Sequence, residues 1–371
     1  MPRQRVPVGD GTFDDDRHDR APDSQGRTVT TDDVEWQPPA DWTTVETIDT
    51  HTGGEPLRVV LNGLPPLAGD TLLEKRRYME RKLDAYRKAL IWEPRGHADM
   101  YGAIPTEPDT ERADFGVLFM HNEGYSTMCG HGIVALATIA AETEYLPDVE
   151  SEIAIDTPAG LVVAEIERDG DRVDTVEFTN VPSFVVARHE TVTVPEWGTT
   201  EFDIAFGGAF YAYCDVSQFD VDLTPAVFRE LIEIGTAVTR AVDDAIEIEH
   251  PHEDDLGFLY GTILTGDAHG ADADSRNVCV FADGEVDRCP TGTGVSGRVA
   301  LRAAAGELDR GERFVVESIV GSTFTGSYTE TVDFGGYEAV RPRVEGSAHI
   351  TGRHRFVVDP ADPFGEGFVL R

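Results

Sequence analysis

The chain has few cysteines and no long apolar run, and each shortage excludes a class of protein. Four cysteines in 371 residues are too few for a disulfide scaffold, and none is spaced as C-x-x-C. We therefore expect free thiols in a cytoplasmic protein. The longest apolar run, residues 133–141, is too short to cross a bilayer, and no apolar signal segment follows Met1. We expect no membrane partner.

Positive charge is also scarce. The sequence has 69 Asp and Glu residues against 31 Lys and Arg, a formal net charge of -38, and lysine only at positions 75, 82 and 88. Such a surface repels nucleic acid, so no nucleic-acid partner is expected. The acidic residues are spread along the whole chain, as in a protein that must stay hydrated in concentrated salt. We interpret this pattern as halophilic.

Helical and strand-like patterns alternate along most of the chain. Residues 1–40 show no periodicity and are rich in Asp, Arg, Pro and Gly, which predicts a disordered acidic tail. A capping box at Thr71 predicts one continuous helix to Ile91, and further apolar helices are predicted near 131–143 and 295–305. Short strands are predicted between them, so the fold class is α/β (α+β) with about two domains.

Two of the predicted helices begin behind similar glycine-bearing turns. One turn reads Cys129-Gly130-His131-Gly132 and the other reads Thr291-Gly292-Thr293-Gly294. We infer two related α/β halves, one from residues 41–190 with 350–371 and the other from residues 191–349. Each half presents a helix N-terminus behind a small thiol or hydroxyl side chain.

These helix starts carry the predicted chemistry. Unpaired N–H groups and the helix dipole favour the thiolate of Cys129, which predicts a depressed pKa and a base or nucleophile; the alternative is a buried structural cysteine. Thr291 taken alone is an ordinary helix cap, and no nucleotide-binding motif is completed around it. Two facing helix starts suit a small carboxylate, and Asp287 could hold a substrate ammonium.

Four segments together resemble the proline racemase family, which includes hydroxyproline epimerases and trans-3-hydroxy-L-proline dehydratases. They are Asp49–Pro56, Glu93–Met100, Met128–His131 and Asp287–Gly294. The resemblance implies two similar domains that each wrap β-structure around a central helix, with the active site at the domain interface. It also implies a small-molecule amino-acid substrate and neither a cofactor nor a metal.

The second cysteine position distinguishes branches of this family. Racemases carry a thiol on each face of Cα, whereas this chain has Thr291 where their second cysteine belongs, which is similar to the dehydratases. The resemblance implies dehydration of trans-3-hydroxy-L-proline to Δ1-pyrroline-2-carboxylate, with Cys129 and Thr291 as the catalytic pair. It implies substrate-binding roles for five more residues: Gly130, His131, Asp287, Gly292 and Thr293.

Other interpretations remain open from the sequence. Cys289 could act as a displaced second base, which would make the protein a proline racemase or a 4-hydroxyproline 2-epimerase. A non-catalytic amino-acid binding protein would keep Asp287 without needing Cys129. A homodimer is compatible with the sequence.

Three sequence features have structural interpretations. Asp49, His51 and Glu55 could be imagined as metal ligands, but Gly53-Gly54 favours a tight active-site or interface turn. The acidic segment 250–255 is interpreted as a solvated loop. Cys214 and Cys279 lie in apolar β-like runs and are predicted to be core residues.

Overall fold

The computed structural model describes residues 36–144, 149 and 151–370. The tail predicted for residues 1–40 lies outside this range except at 36–40. The described residues contain five α-helices: α1 (Leu72–Tyr78), α2 (Asp84–Ile91), α3 (Gly130–Glu142), α4 (Phe228–Ala245) and α5 (Gly292–Ala305).

Strands make up most of the fold. Those of the first half are β1 (Thr43–Thr52), β2 (Glu55–Asn62), β3 (Gly102–Thr106), β4 (Phe115–Met120), β5 (Tyr125–Ser126), β6 (Glu152–Thr157), β7 (Gly160–Asp169), β8 (Arg172–Thr179) and β9 (Ser183–Val194). Those that follow are β10 (Gly198–Phe206), β11 (Phe210–Asp215), β12 (Leu259–Gly266), β13 (Ser275–Phe281), β14 (Glu285–Val286), β15 (Phe314–Glu317), β16 (Thr323–Phe334), β17 (Tyr337–Gly346) and β18 (Ala348–Val358).

One helix differs from the sequence prediction. The continuous helix expected up to Ile91 is divided into α1 and α2 by a π-helical segment, Met79–Leu83. Its predicted start is correct, because the Thr71 hydroxyl accepts a hydrogen bond from the backbone N–H of Glu74. A π turn advances the helix face, so that Leu72 in α1 and Leu90 in α2 are both buried on either side of it. The apolar spacing alone does not reveal the extra residue in that turn.

The strand pairing repeats along the chain. In the first half β2 pairs parallel with β3, β3 antiparallel with β4, and β4 parallel with β6, which begins the antiparallel series β6-β7-β8. In the second half β11, β12, β13, β15, β16 and β17 repeat the same sequence of pairings. This repeat is what two related halves require. The boundaries at 190 and 350 stay predictions.

Each half wraps its strands around an apolar helix. Helix α3 packs against β1, β2, β7, β8 and β18, and α5 packs against β9, β10, β16 and β17. Residues 130–140 of α3 are all buried, because a helix that is apolar on every side is stable only inside the core. The mixed α/β fold with central helices is therefore confirmed. Within the described residues no helix is both long enough and apolar enough to span a bilayer.

Candidate active site

Cys129 is the residue that begins α3. It has an extended backbone, and its Sγ accepts a hydrogen bond from the backbone N–H of Gly132 at 3.2 Å. This is the geometry of an N-cap, with sulfur in the place usually taken by a hydroxyl or carboxylate oxygen. The Nδ1 atom of His131 lies 3.3 Å from the same sulfur. The thiol therefore contacts both a backbone donor and an imidazole.

Thr291 begins α5, but its geometry is different. Its backbone φ is +67°, in the left-handed region that side chains with a branched Cβ rarely adopt. Its hydroxyl makes no cap to the helix and instead donates to Oδ2 of Asp287 at 2.7 Å. Strained backbone of this kind is held in place by its surroundings and is common at functional sites.

The two helix starts meet at glycines. A Cβ atom placed on Gly130 would lie 2.6 Å from the Cα of Gly292, and one placed on Gly292 would lie 2.8 Å from the Cα of Gly130. Real Cβ atoms do not approach backbone so closely. Glycine is required at both positions because the two helix N-termini are in backbone contact.

The predicted site residues line one small cavity at this contact. Its volume is about 20 Å³, on the order of one water molecule, so a hydroxyproline ring requires the cavity to open. Its lining comprises Tyr101, Met128, Cys129, Gly130, His131, Tyr211, Tyr260, Cys279, Phe281, Asp287, Thr291, Gly292 and Thr293. All seven residues predicted to be catalytic or substrate-binding are present. Their individual roles stay predictions.

Burial dominates the electrostatics of Cys129. Desolvation raises the pKa of this thiol well above its ordinary value, and the Gly132 N–H opposes the rise. The carboxylates of Asp287 and Glu55 raise the pKa further, while the nearby Tyr101 hydroxyl lowers it. The structure therefore contradicts the depressed pKa expected from the helix start, because loss of water outweighs the helix-end donors.

His131 is neutral in this environment. Desolvation lowers its pKa to about 4, and the nearby Asp287 only partly opposes that effect. The histidine is fixed by its own backbone, since its carbonyl accepts a hydrogen bond from the Thr52 hydroxyl at 2.9 Å. A neutral imidazole beside Cys129 can exchange a hydrogen bond with the sulfur without adding positive charge.

Comparison with known proteins gives the family. The proline racemase family model matches residues 47–369. The chain belongs to the proline racemase family. Among its relatives, a trans-3-hydroxy-L-proline dehydratase of Burkholderia cenocepacia is 44% identical over 88% of this chain and 98% of its own. A 3-hydroxyproline 2-epimerase of Burkholderia multivorans is 45% identical over the same shares.

A solved structure of the family has the same fold. The hydroxyproline epimerase of Agrobacterium vitis, determined with bound trans-4-hydroxy-L-proline, superposes with a TM-score of 0.83 at 29% identity. The superposition covers 88% of this chain and 96% of that one.

Three of the family-like segments contact one another or the second half of the chain near the cavity, and the first of them is the turn at Gly53. Gly53 and Gly54 form the two-residue turn between β1 and β2, and both have positive φ. This turn lies against the second half, where the Ser322 hydroxyl donates to the Gly53 carbonyl at 2.7 Å. The segment interpreted as a tight turn is therefore a hairpin that contacts the connection between β15 and β16.

Glu55 and Asp99 both hold Arg288. The carboxylate of Glu55 accepts from the backbone N–H of Arg288 at 2.7 Å, and the Arg288 guanidinium pairs with Asp99 at 2.8 Å. Burial raises the pKa of Glu55 well above its usual range, and the adjacent Asp287 raises it further. These contacts join three segments that are far apart in the sequence.

The imagined metal ligands of the first segment have other partners. Asp49 pairs with the guanidinium of Arg58 at 2.7 Å, and His51 accepts from the Gly54 N–H at 3.3 Å. A different trio, His131, Asp287 and Cys289, has ligand-type atoms that all lie within 4.8 Å of one another and could hold a metal ion.

Cys289, the candidate for a displaced second base, is hydrogen-bonded to residues on both sides of it. Its thiol donates to Oδ1 of Asp287 at 3.2 Å, and its sulfur accepts from the Thr291 N–H. Among the described residues the cavity lining includes Cys279 but not Cys289. Cys214 is a core residue, as predicted.

The prediction that Cys279 is a core residue is confirmed, but its place at the cavity was not predicted. It is buried as expected, but it also lines the cavity. Burial raises the pKa of its thiol well above the ordinary value, Asp287 adds to this, and the nearby Thr291 hydroxyl opposes it. Sequence reasoning missed this residue because its apolar strand neighbours resemble core.

Three tyrosines of the lining were also missed, namely Tyr101, Tyr211 and Tyr260. Tyr101 directly follows Met100 at the end of a family-like segment, which was the one available signal.

The segment 250–255 matches its prediction only in part. His252, Glu253 and Asp254 are exposed, but His250 is buried, and desolvation lowers its pKa to about 4.

Proposed function

We propose that the protein dehydrates trans-3-hydroxy-L-proline to Δ1-pyrroline-2-carboxylate without a cofactor. The observation that carries this proposal is the unlike pair at the touching helix starts, a thiol at Cys129 and a hydroxyl at Thr291. A threonine hydroxyl is too weak an acid to serve as a base near neutral pH, so the pair is asymmetric. Relatives named as dehydratases support the same reaction.

The amino-acid group is recognised by the two helix starts. The first N–H groups of an α-helix lack partners within the helix, and the adjoining ends of α3 and α5 direct two such sets at one cavity. They bind the substrate carboxylate. Asp287, which accepts hydrogen bonds from Thr291 and Cys289, binds the ring ammonium.

Substrate binding generates the base. The negative charge of Asp287 is one of the factors that raise the pKa of Cys129, after burial. A ring ammonium placed beside Asp287 neutralises that charge and lowers the pKa of the thiol. Cys129 then removes the Cα proton, and the helix ends stabilise the charge that develops on the carboxylate.

The elimination follows from substrate stereochemistry. In trans-3-hydroxy-L-proline the C3 hydroxyl and the Cα hydrogen both lie on the face opposite the carboxylate. Proton abstraction and hydroxide departure therefore occur on the Cys129 face. The resulting enamine tautomerises to Δ1-pyrroline-2-carboxylate, and no base is needed at Thr291.

Turnover tests this function directly. The protein in molar salt is incubated with trans-3-hydroxy-L-proline in deuterium oxide while ketimine formation is followed. Rapid ketimine formation by the wild type and none by Cys129→Ala supports the lyase. Binding without turnover by the wild type would instead indicate a non-catalytic amino-acid binding protein.

Epimerisation is the second candidate function. It is favoured by the relative named 3-hydroxyproline 2-epimerase and by Cys279, a second thiol that lines the cavity together with Thr291. Chiral chromatography of trans-4-hydroxy-L-proline after incubation separates the two functions. Epimerisation by the wild type that disappears in Cys279→Ser would replace the lyase proposal.

We also propose that the acidity is an adaptation of a cytoplasmic protein to salt. The net charge of -38 is distributed along the chain, and salt screens the repulsion among these carboxylates. Lowering the salt from molar to about 0.1 M should reduce the midpoint of thermal unfolding. A midpoint that is unchanged by salt would contradict this interpretation.

A further inference from the structure

Tyr101 lines the cavity together with Cys129. Tyr101 donates to the Ser126 hydroxyl at 2.6 Å, and Ser126 is three residues before Cys129 in the chain. Tyr101 and Cys129 also contact the same imidazole, since the Tyr101 ring packs against His131 and the Nδ1 atom of His131 lies 3.3 Å from the Cys129 sulfur. The tyrosine hydroxyl is therefore close to the face from which both the Cα proton and the C3 hydroxyl leave.

Tyr101 is held rigidly. Its ring packs edge-on against His131, with centroids 4.8 Å apart, and stacks with His121 at 5.8 Å. Its hydroxyl oxygen is 3.1 Å from that of Tyr260, which also lines the cavity. Tyr260 can donate a hydrogen bond that stabilises negative charge on the Tyr101 oxygen. A fixed hydroxyl with a second donor behind it has the arrangement of a general acid.

We propose that Tyr101 is a catalytic residue that protonates the departing C3 hydroxyl, passing on the proton that Cys129 removes from Cα. This assignment rests on the proposed dehydratase function. The Tyr101 hydroxyl is then a third catalytic group beside Cys129 and Thr291. It is also a second feature, besides threonine at position 291, that would distinguish a dehydratase from an epimerase. An epimerase does not need an acid aimed at C3.

The step balances without a co-reactant. The Cα–H bond breaks as an S–H bond forms on Cys129, and the released electron pair becomes the Cα=C3 double bond. The C3–O bond breaks, and its electron pair stays on oxygen, which takes the Tyr101 proton and leaves as water. The Tyr101 oxygen then recovers a proton from the Cys129 thiol, and both side chains return to their starting state.

A change of leaving group tests this role. Fluoride is a far weaker base than hydroxide and departs without full protonation, so trans-3-fluoro-L-proline needs the Cα base but little of the acid. Tyr101→Phe removes only the hydroxyl. We expect it to slow dehydration of trans-3-hydroxy-L-proline by about 100-fold, the scale of a lost general acid. Fluoride release from the analogue should stay within a few-fold of the wild type.

Tyr213→Phe is the matched control. Tyr213 is buried and donates to the Gly294 carbonyl of α5 at 3.0 Å, outside the cavity lining. Loss of its hydroxyl should change both reactions by the same factor. Equal losses on both substrates in Tyr101→Phe would overturn the proposal, because they would indicate a role in proton abstraction or folding.

Two other results are also decisive. Unchanged dehydration by Tyr101→Phe would show that Cys129 alone returns the proton to the leaving hydroxide, which overturns the proposal. A wild type that releases fluoride but does not dehydrate the hydroxy substrate would overturn the proposed function itself, and the Tyr101 assignment with it. The two failures are distinguishable by the wild-type measurement alone.

Discussion

The starts of α3 and α5 have similar sequences, but their first side chains make different hydrogen bonds. At α3 the Cys129 side chain caps its own helix through Gly132. At α5 the Thr291 side chain is turned away from its helix by a left-handed backbone and donates to Asp287. Equivalent positions in a repeat thus serve different purposes. In the proposed reaction, one helix start carries the reactive thiol, and the other orients the Asp287 carboxylate proposed to bind the substrate ammonium.

Replacing the thiol at α3 should have the largest effect. Cys129→Ser should reduce turnover by at least about 100-fold, because a serine hydroxyl cannot replace the thiolate as a base. Cys289→Ser is the control, since that thiol faces Asp287 and lies outside the cavity lining. Steady-state rates of both variants with trans-3-hydroxy-L-proline check this. A larger loss in Cys289→Ser would reverse the assignment of the base.

Forcing the two helix starts apart should have the second-largest effect. Gly130→Ala places a methyl group 2.6 Å from the Cα of Gly292, where backbone must move. We expect a loss of about 1–3 kcal/mol in the free energy of unfolding, as for other overpacked sites, together with weaker substrate binding. Gly124→Ala is the control, because a Cβ there meets no atom within 4 Å. Denaturant titrations of the two variants should differ clearly.

Making the helix starts alike should change the reaction more than its rate. Thr291→Cys places a second thiol opposite Cys129 and should introduce measurable C2 epimerisation of trans-4-hydroxy-L-proline, whose hydroxyl cannot be eliminated. Thr291→Ala should slow dehydration less than Cys129→Ser does. Chiral chromatography detects the epimer. If Thr291→Cys yields no epimer, the difference between dehydratases and epimerases of this family does not depend on position 291 alone.

The smallest effect concerns pH. His131 has a pKa of about 4 in the folded protein, below the ordinary 6.5. The unfolded chain therefore binds a proton first as the pH falls, and stability decreases from about pH 6.5 towards pH 4. Thr293, the equivalent residue of α5, does not titrate in this range.

Denaturant unfolding at pH 7 and pH 5 measures this effect. His131→Asn should lose less stability between the two pH values than the wild type does, whereas Thr293→Ser should lose as much as the wild type. An identical loss in wild type and His131→Asn would contradict a buried neutral histidine.

Much of the site could be predicted from the sequence because its signals are local. The Thr71 cap, the glycines at the two helix starts and the exchange of cysteine for threonine at position 291 are each visible in a few consecutive residues. Family resemblance then grouped the distant segments. The structure brings all seven predicted residues to one cavity.

The remaining features depend on contacts between distant parts of the chain. The sequence alone determined the fold class, the two helix starts, the asymmetric Cys129 and Thr291 pair and the acidic surface. Only the tertiary structure decided that the Cys129 pKa rises, that Cys289 faces Asp287, and that Cys279 and Tyr101 line the cavity. The physical reason is that desolvation and hydrogen-bond partners are set by neighbours in space, and at this cavity those neighbours come from both halves of the chain.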